Sequence, residues 1–176
     1  MNEFEINILR AIESFFHNDN MHGIMTFIST LGNGGFIWIL TAIILLFFKK
    51  TRVAGLSMAI SLIFSLIVCN ITLKPLVGRI RPFDFDNALL PLIPPPSDFS
   101  FPSGHTFSSF ASATALFLNH KKMGIPAMIL ALLIAFSRLY LLVHYPSDVL
   151  FSIVLGIFFG VLAKKLTHYL PPKHIL

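Results

Sequence analysis

Five apolar stretches dominate this 176-residue chain, at about 33–48 (a start nearer 23 is also open), 53–73, 103–119, 123–143 and 148–168. Runs of roughly 20 apolar residues match the hydrocarbon core of a bilayer. Backbone polar groups in lipid have to be satisfied inside the protein, so such runs read as helices. Composition agrees: 55% of residues are hydrophobic and 12% charged, against about a quarter charged in an average chain. The sequence therefore predicts an all-α integral membrane protein, a bundle of five or six helices forming one domain over residues 1–176.

Two stretches are irregular. Ser103, Thr106, Ser108, Ser109, Ser112 and Thr114 punctuate the third. Small polar residues let membrane helices pack closely, which puts this helix inside the bundle. Gly32, Asn33, Gly34 and Gly35 break the first. Ahead of it, Ile6, Leu9, Ile12, Phe15 and Phe16 recur at near-helical spacing among Glu3, Glu5 and Glu13. That pattern predicts an N-terminal amphipathic helix at the membrane surface rather than a cleavable signal. The one cysteine, Cys69, lies in an apolar span, so no intrachain disulfide forms and a small buried residue is expected. Phe101, Phe107 and Phe110 are expected to pack. Met25, Phe27 and Ile28 are expected to do the same, although with Gly32–Gly35 they also suit the wall of a lipid groove.

Charge gives an orientation. Lys49, Lys50, Arg52, Lys121, Lys122, Lys164, Lys165 and Lys173 fall on one side if the spans are right. Short loops rich in Lys and Arg stay cytoplasmic. The other side then receives Arg10, Lys74, Arg79, Arg81, Arg138 and all eight acidic residues, and faces outward. A net charge of +5 divided in this way leaves no basic stripe for nucleic acid.

Ionisable residues at a membrane are costly and mark function. Here they form three clusters: Lys74 to Pro82, Pro102 to His105 and Ser137 to Asp148. His144 and Asp148, four apart, share a face if a helix runs through them. Pro146 argues equally for a helix that begins there. Either way the carboxylate is near enough to orient the imidazole as nucleophile or base. Lys74, Arg81 and Arg138 supply donors suited to phosphate oxygens. Ser103 and Gly104 open the third helix, where backbone N–H groups favour anions. His105 is a candidate proton donor. A metal held by His105, His144 and Asp148 is the weaker reading, because three nearby cations oppose a divalent ion.

These residues resemble a known signature. K-x6-R-P at Lys74, Arg81 and Pro82 is followed by P-S-G-H at Pro102, Ser103, Gly104 and His105. S-R-x5-H-x3-D completes it at Ser137, Arg138, His144 and Asp148. The pattern is similar to that of the type 2 phosphatidic acid phosphatases, in a superfamily with bacterial acid phosphatases and vanadium haloperoxidases. The resemblance implies a membrane lipid phosphatase that needs no metal or cofactor. It implies His144 as the nucleophile forming a phosphohistidine, Asp148 as its orienting partner and His105 as the acid. Lys74, Arg81, Ser103, Gly104 and Arg138 would hold the phosphate.

Among the substrates that the resemblance implies, the short chain and outward site favour undecaprenyl diphosphate. Phosphatidylglycerophosphate, phosphatidic acid and lipid A phosphate are the alternatives. A vanadate-dependent haloperoxidase and a non-enzymatic lipid-binding protein are more remote. The oligomeric state is open. Arg79, outside the pattern, is expected as a solvated loop cation, with substrate contact as the alternative. Residues 83–101, carrying Asp84, Asp86, Asp98 and Pro91, Pro94, Pro95 and Pro96, are expected as an inert surface connection, with a lid or rim near the lipid entrance as the alternative.

Overall fold

A computed structural model describes residues 2–16 and 18–169 of the chain, and the described residues carry helices but no strands. The helices are α1 (Asn2–Phe16), α2 (Asp19–Leu31), α3 (Phe36–Phe47), α4 (Arg52–Phe64), α5 (Lys74–Val77), α6 (Pro82–Phe85), α7 (Gly104–Asn119), α8 (Lys121–Tyr140) and α9 (Pro146–Tyr169). Arg52–Phe85, α8 and α9 are long and apolar enough to cross a membrane, and α2 with α3 forms a fourth, bent candidate. The chain is a multi-pass membrane protein.

The bend between α2 and α3 is 46°. It falls where the sequence is broken: Gly34 and Gly35 adopt φ of 58° and 74°, a region open mainly to glycine. The second span outlasts its expected end at 73. From α4 it passes through a π-helical segment, Ser65–Leu73, into α5. Pro75 falls in the first turn of α5, where a missing N–H is tolerated.

Helix α7 is the centre of the bundle. Every residue from Thr106 to Leu116 is buried, because α4, α8 and α9 surround it. At 16 residues it is about 24 Å long (1.5 Å per residue). Its neighbours shield its hydroxyls from lipid, and Ser109 accepts a hydrogen bond from the indole of Trp38 at 2.9 Å. Close packing against α9 depends on Gly156 and Gly160. A Cβ at Gly156 would meet Phe110 Cβ at 2.6 Å, and one at Gly160 would meet the Ala111 carbonyl at 2.6 Å. Such small-xxx-small spacing brings membrane helices into backbone contact.

The two ends of the bundle are distinct. At one, Ser57 of α4 hydrogen-bonds Thr167 of α9 at 2.7 Å and accepts from Asn119 of α7 at 3.1 Å. Lys49, Lys50, Arg52, Lys121, Lys122, Lys164 and Lys165 belong to this end; Lys173 lies outside the described residues. At the other end, α1 packs Ile6 and Leu9 onto Leu89, Leu142 and Tyr145. The buried turn 141–145 lies there and joins α8 to α9. The apolar stripe read from the sequence therefore serves protein packing as well as lipid contact, while Phe4 and Phe15 stay exposed. Cys69, Phe107 and Phe110 are buried, and Phe101 stacks on Phe151 at 4.9 Å.

Candidate active site

The three motifs, separated in sequence, meet at the end of the bundle that carries the 141–145 turn. Lys74 stands at the head of α5 and Arg81 just before α6. Ser103 caps α7 with its side chain and is fully buried, its hydroxyl 3.0 Å from that of Thr106. Gly104 and His105 form the first turn of α7. Arg138 lies in the last turn of α8. Helix α9 starts at Pro146, so of the two sequence readings the second applies. His144 sits in the turn and Asp148 in the first turn of α9. Leu142 holds that turn in a left-handed conformation (φ 61°) unusual for a branched side chain.

Lys74, Arg81, Gly104, His105, Arg138 and His144 all border one cavity of about 890 Å³. Ser103 and Asp148 stand behind it. His144 is buried, with Nε2 toward Arg81 Nη1 at 3.5 Å and Nδ1 toward Asp148 Oδ2 at 3.6 Å. The latter is an ion-pair separation, longer than a hydrogen bond. Asp148 Oδ2 already accepts from Ser100 Oγ at 2.5 Å and from the Tyr145 N–H at 3.0 Å. Burial, with the charges of Arg81 and Arg138, pushes the His144 ring down to about 4 despite the opposing pull of Asp148. The ring is therefore neutral at neutral pH and keeps a lone pair on one nitrogen. His105 Nε2 lies 2.9 Å from the side-chain amide oxygen Oδ1 of Asn33, in the glycine break between α2 and α3. Arg138 donates to Ser29 Oγ.

Asp98, from the connection before α7, was not singled out in the sequence, yet it lies between two of the expected phosphate donors. Its carboxylate pairs with Lys74 and, at 2.5 Å, with Arg81 Nη2. Arg81 also donates to the Asp98 carbonyl at 2.8 Å and to the Val143 carbonyl at 2.6 Å. Burial alone would raise this carboxyl; the hydrogen bonds and charges of Lys74 and Arg81 outweigh it and hold it at about 2. The 83–101 segment is thus not an inert surface connection. Ile93, Pro94, Pro96 and Asp98 wall the cavity, and Asp86 pairs with Arg10 at 2.5 Å.

The expectation of a solvated Arg79 is also corrected. Its guanidinium is largely buried between Glu5 and Asp148, so it is neither a loop cation nor a lining residue of the cavity. Of the suggested groove residues, Gly32, Gly34 and Gly35 line the cavity. Met25 is core, Phe27 is exposed and Ile28 packs on the core.

Away from the charged end, the cavity becomes apolar. Ile39, Ala42, Ile43 and Leu46 on α3 face Ala59, Leu62, Ile63 and Leu66 on α4 and its π-helical continuation. Both sets recur at i, i+3, i+4 and i+7, one face of each helix. Ile39, Ile43, Ile63 and Leu66 are about half exposed, so the groove opens sideways toward lipid.

An all-α membrane bundle with cations and histidines at the head of a lipid-sided groove is the architecture of an integral-membrane phosphatase acting on lipid. The chain belongs to the PAP2 superfamily, whose model matches residues 54–172. It is 35% identical to an undecaprenyl-diphosphatase of Sulfolobus acidocaldarius, over 88% of this chain and 75% of that one. It is 33% identical to undecaprenyl-diphosphatase BcrC of Bacillus subtilis, over 94% and 85%. The crystal structure of a transmembrane PAP2 type phosphatidylglycerolphosphate phosphatase from Bacillus subtilis superposes with a TM-score of 0.78 at 28% identity, covering 96% of this chain and 87% of that one.

Proposed function

We propose that this phosphatase removes the terminal phosphate of undecaprenyl diphosphate, or a closely similar polyprenyl diphosphate, at the outer membrane face through a phosphohistidine on His144. The observation that carries the reading is the continuity of the cavity: phosphate donors and the two histidines at one end, an apolar groove open to lipid at the other. A diphosphate headgroup and a hydrocarbon tail need both ends at once.

In this mechanism Nε2 of His144 attacks phosphorus and the bond to the leaving phosphate oxygen breaks. Asp148 holds the Nδ1–H, and the 3.6 Å separation shortens as charge develops on the ring. His105 gives its proton to the departing oxygen. Water then cleaves the phosphorus–nitrogen bond, with His105 taking a proton back. Lys74, Arg81, Arg138 and the first N–H groups of α7, at Ser103 and Gly104, stabilise the non-bridging oxygens. Fixed donors aimed at developing charge are the main source of rate in phosphoryl transfer. Asp98 leaves Lys74 and Arg81 as the phosphate arrives. The outward orientation is supported by the cations gathered at the opposite end of the bundle.

Phosphate release by detergent-solubilised protein, beside a His144→Ala control, tests the reading. Undecaprenyl diphosphate is expected to be the fastest substrate, and the control inactive. Faster release from phosphatidylglycerophosphate would favour the second reading, which the likeness to the Bacillus subtilis structure supports. An active control would overturn the nucleophile.

A further inference from the structure

Arg79 and Glu5 belong to no motif, yet they meet directly behind the His144–Asp148 pair. Arg79 Nη1 donates to Asp148 Oδ1 at 2.5 Å and to Ser147 Oγ at 2.7 Å. Arg79 Nη2 donates to Glu5 Oε2 at 2.6 Å. The guanidinium carbon lies over Tyr145, 3.9 Å from the ring centroid. Glu5 uses its other oxygen to accept from the Ser147 N–H at 2.8 Å, in the first turn of α9. Glu5 is 5% exposed and Asp148 fully buried. Carboxylates removed from water persist only when paired, and here one planar cation serves two.

We infer that Arg79 and Glu5 are positioning residues for the reaction: together they fix Asp148, and through it the tautomer and direction of the His144 ring. The inference rests on the proposed role of His144. Each residue has its own reason. Without Arg79, Asp148 would keep Ser100 and the Tyr145 N–H on Oδ2 but lose its charged donor on Oδ1, leaving a buried carboxylate less firmly oriented toward Nδ1. Without Glu5, one arginine charge would cancel Asp148 and leave nothing to favour an imidazolium. Glu5, Arg79 and Asp148 together carry one net negative charge, which faces His144. Lysine, a point charge on a flexible stem, would not span both carboxylates while stacking on Tyr145. The arrangement also makes α1 part of the active site rather than only a surface anchor.

Arg79→Ala, Arg79→Lys and Glu5→Gln in the full chain, beside His144→Ala, test this. The readouts are kcat and KM on the best lipid diphosphate, and inhibition by inorganic phosphate. Carboxylates and other partners that orient a metal-ligating histidine change activity about 10–100-fold when removed, and the same scale is expected for partners that orient a reacting imidazole. Arg79→Ala is expected to lower kcat by about that factor, with KM and the phosphate inhibition constant within about threefold. Arg79→Lys should recover part of the loss, and Glu5→Gln should show a smaller loss of the same kind. Parallel loss of kcat and phosphate affinity would overturn the inference, placing Arg79 on the substrate. Wild-type kcat in Arg79→Ala, with His144→Ala inactive, would sink the inference and leave the proposed function standing. If Arg79→Ala does not purify as a monodisperse protein, Glu5→Gln decides alone: unchanged kcat overturns the positioning role.

Discussion

Replacing Asp98 with asparagine isolates the competition between an internal carboxylate and the incoming phosphate. Asparagine keeps the shape and an acceptor oxygen but removes the charge that pairs with Lys74 and Arg81. The Asp98 side chain is 54% exposed, so its two ion pairs are screened by solvent. Exposed pairs contribute about 0.2–1 kcal/mol each, and the better geometry of a charge-assisted arginine bond moves the pair of contacts to about 1–2 kcal/mol in total. A ligand that binds only the vacated site has its apparent dissociation constant raised by the same free energy. At 1.4 kcal/mol per tenfold, the asparagine variant should bind inorganic phosphate about 5- to 30-fold more tightly. The assay is inhibition of lipid phosphate hydrolysis by phosphate, at pH 6 and pH 8. Because Asp98 is held near 2, it is charged at both pH values and the gain should be the same. Weaker phosphate binding in the variant would refute the reasoning: Asp98 would then organise Lys74 and Arg81 rather than compete for them.

The His144 ring, pushed down to about 4, should remain neutral from pH 8 to pH 5 in histidine-labelled NMR spectra, its resonance identified by loss in His144→Ala; a midpoint near 6.5 would contradict the burial argument. Gly32→Ala would bring a Cβ to 2.8 Å from His105 Cδ2, so the ring must shift off Asn33; kcat should fall about tenfold or more with lipid KM little changed, measured by steady-state kinetics. Ile43→Trp, on the groove wall, should raise KM for a polyprenyl diphosphate roughly tenfold, the equivalent of about two displaced methylenes, while hydrolysis of a soluble aryl phosphate stays the same. Gly156→Ala puts a Cβ 2.6 Å from Phe110 Cβ and 2.9 Å from the Phe107 carbonyl; overpacking of this kind costs about 1–3 kcal/mol, read as a lower thermal midpoint in detergent.

The sequence by itself determined the class of fold and most of the charged residues that border the cavity. Apolar runs of bilayer length leave little but helices, because lipid offers the backbone no partners. The hydroxyls of the third stretch marked α7 as the buried one, and Lys74, Arg81, His105, Arg138 and His144 stood out because charge in an oily chain is costly. All five border the same cavity. The break at Gly32–Gly35 was legible too, although its partnership with His105 was not.

What only the tertiary structure decided is what depends on distance across the bundle. Asp98 looked like one acid of three in a proline-rich connection, and Arg79 like a loop cation. Nothing local distinguishes an exposed carboxylate from one lying between Lys74 and Arg81, because that difference is made by residues 17 and 24 positions away. Glu5 reads as the polar face of an amphipathic helix. It is buried because α1 docks at the start of α9, 142 residues later in the chain. Periodicity reports which face of a helix leaves water, and it carries no information about what that face meets.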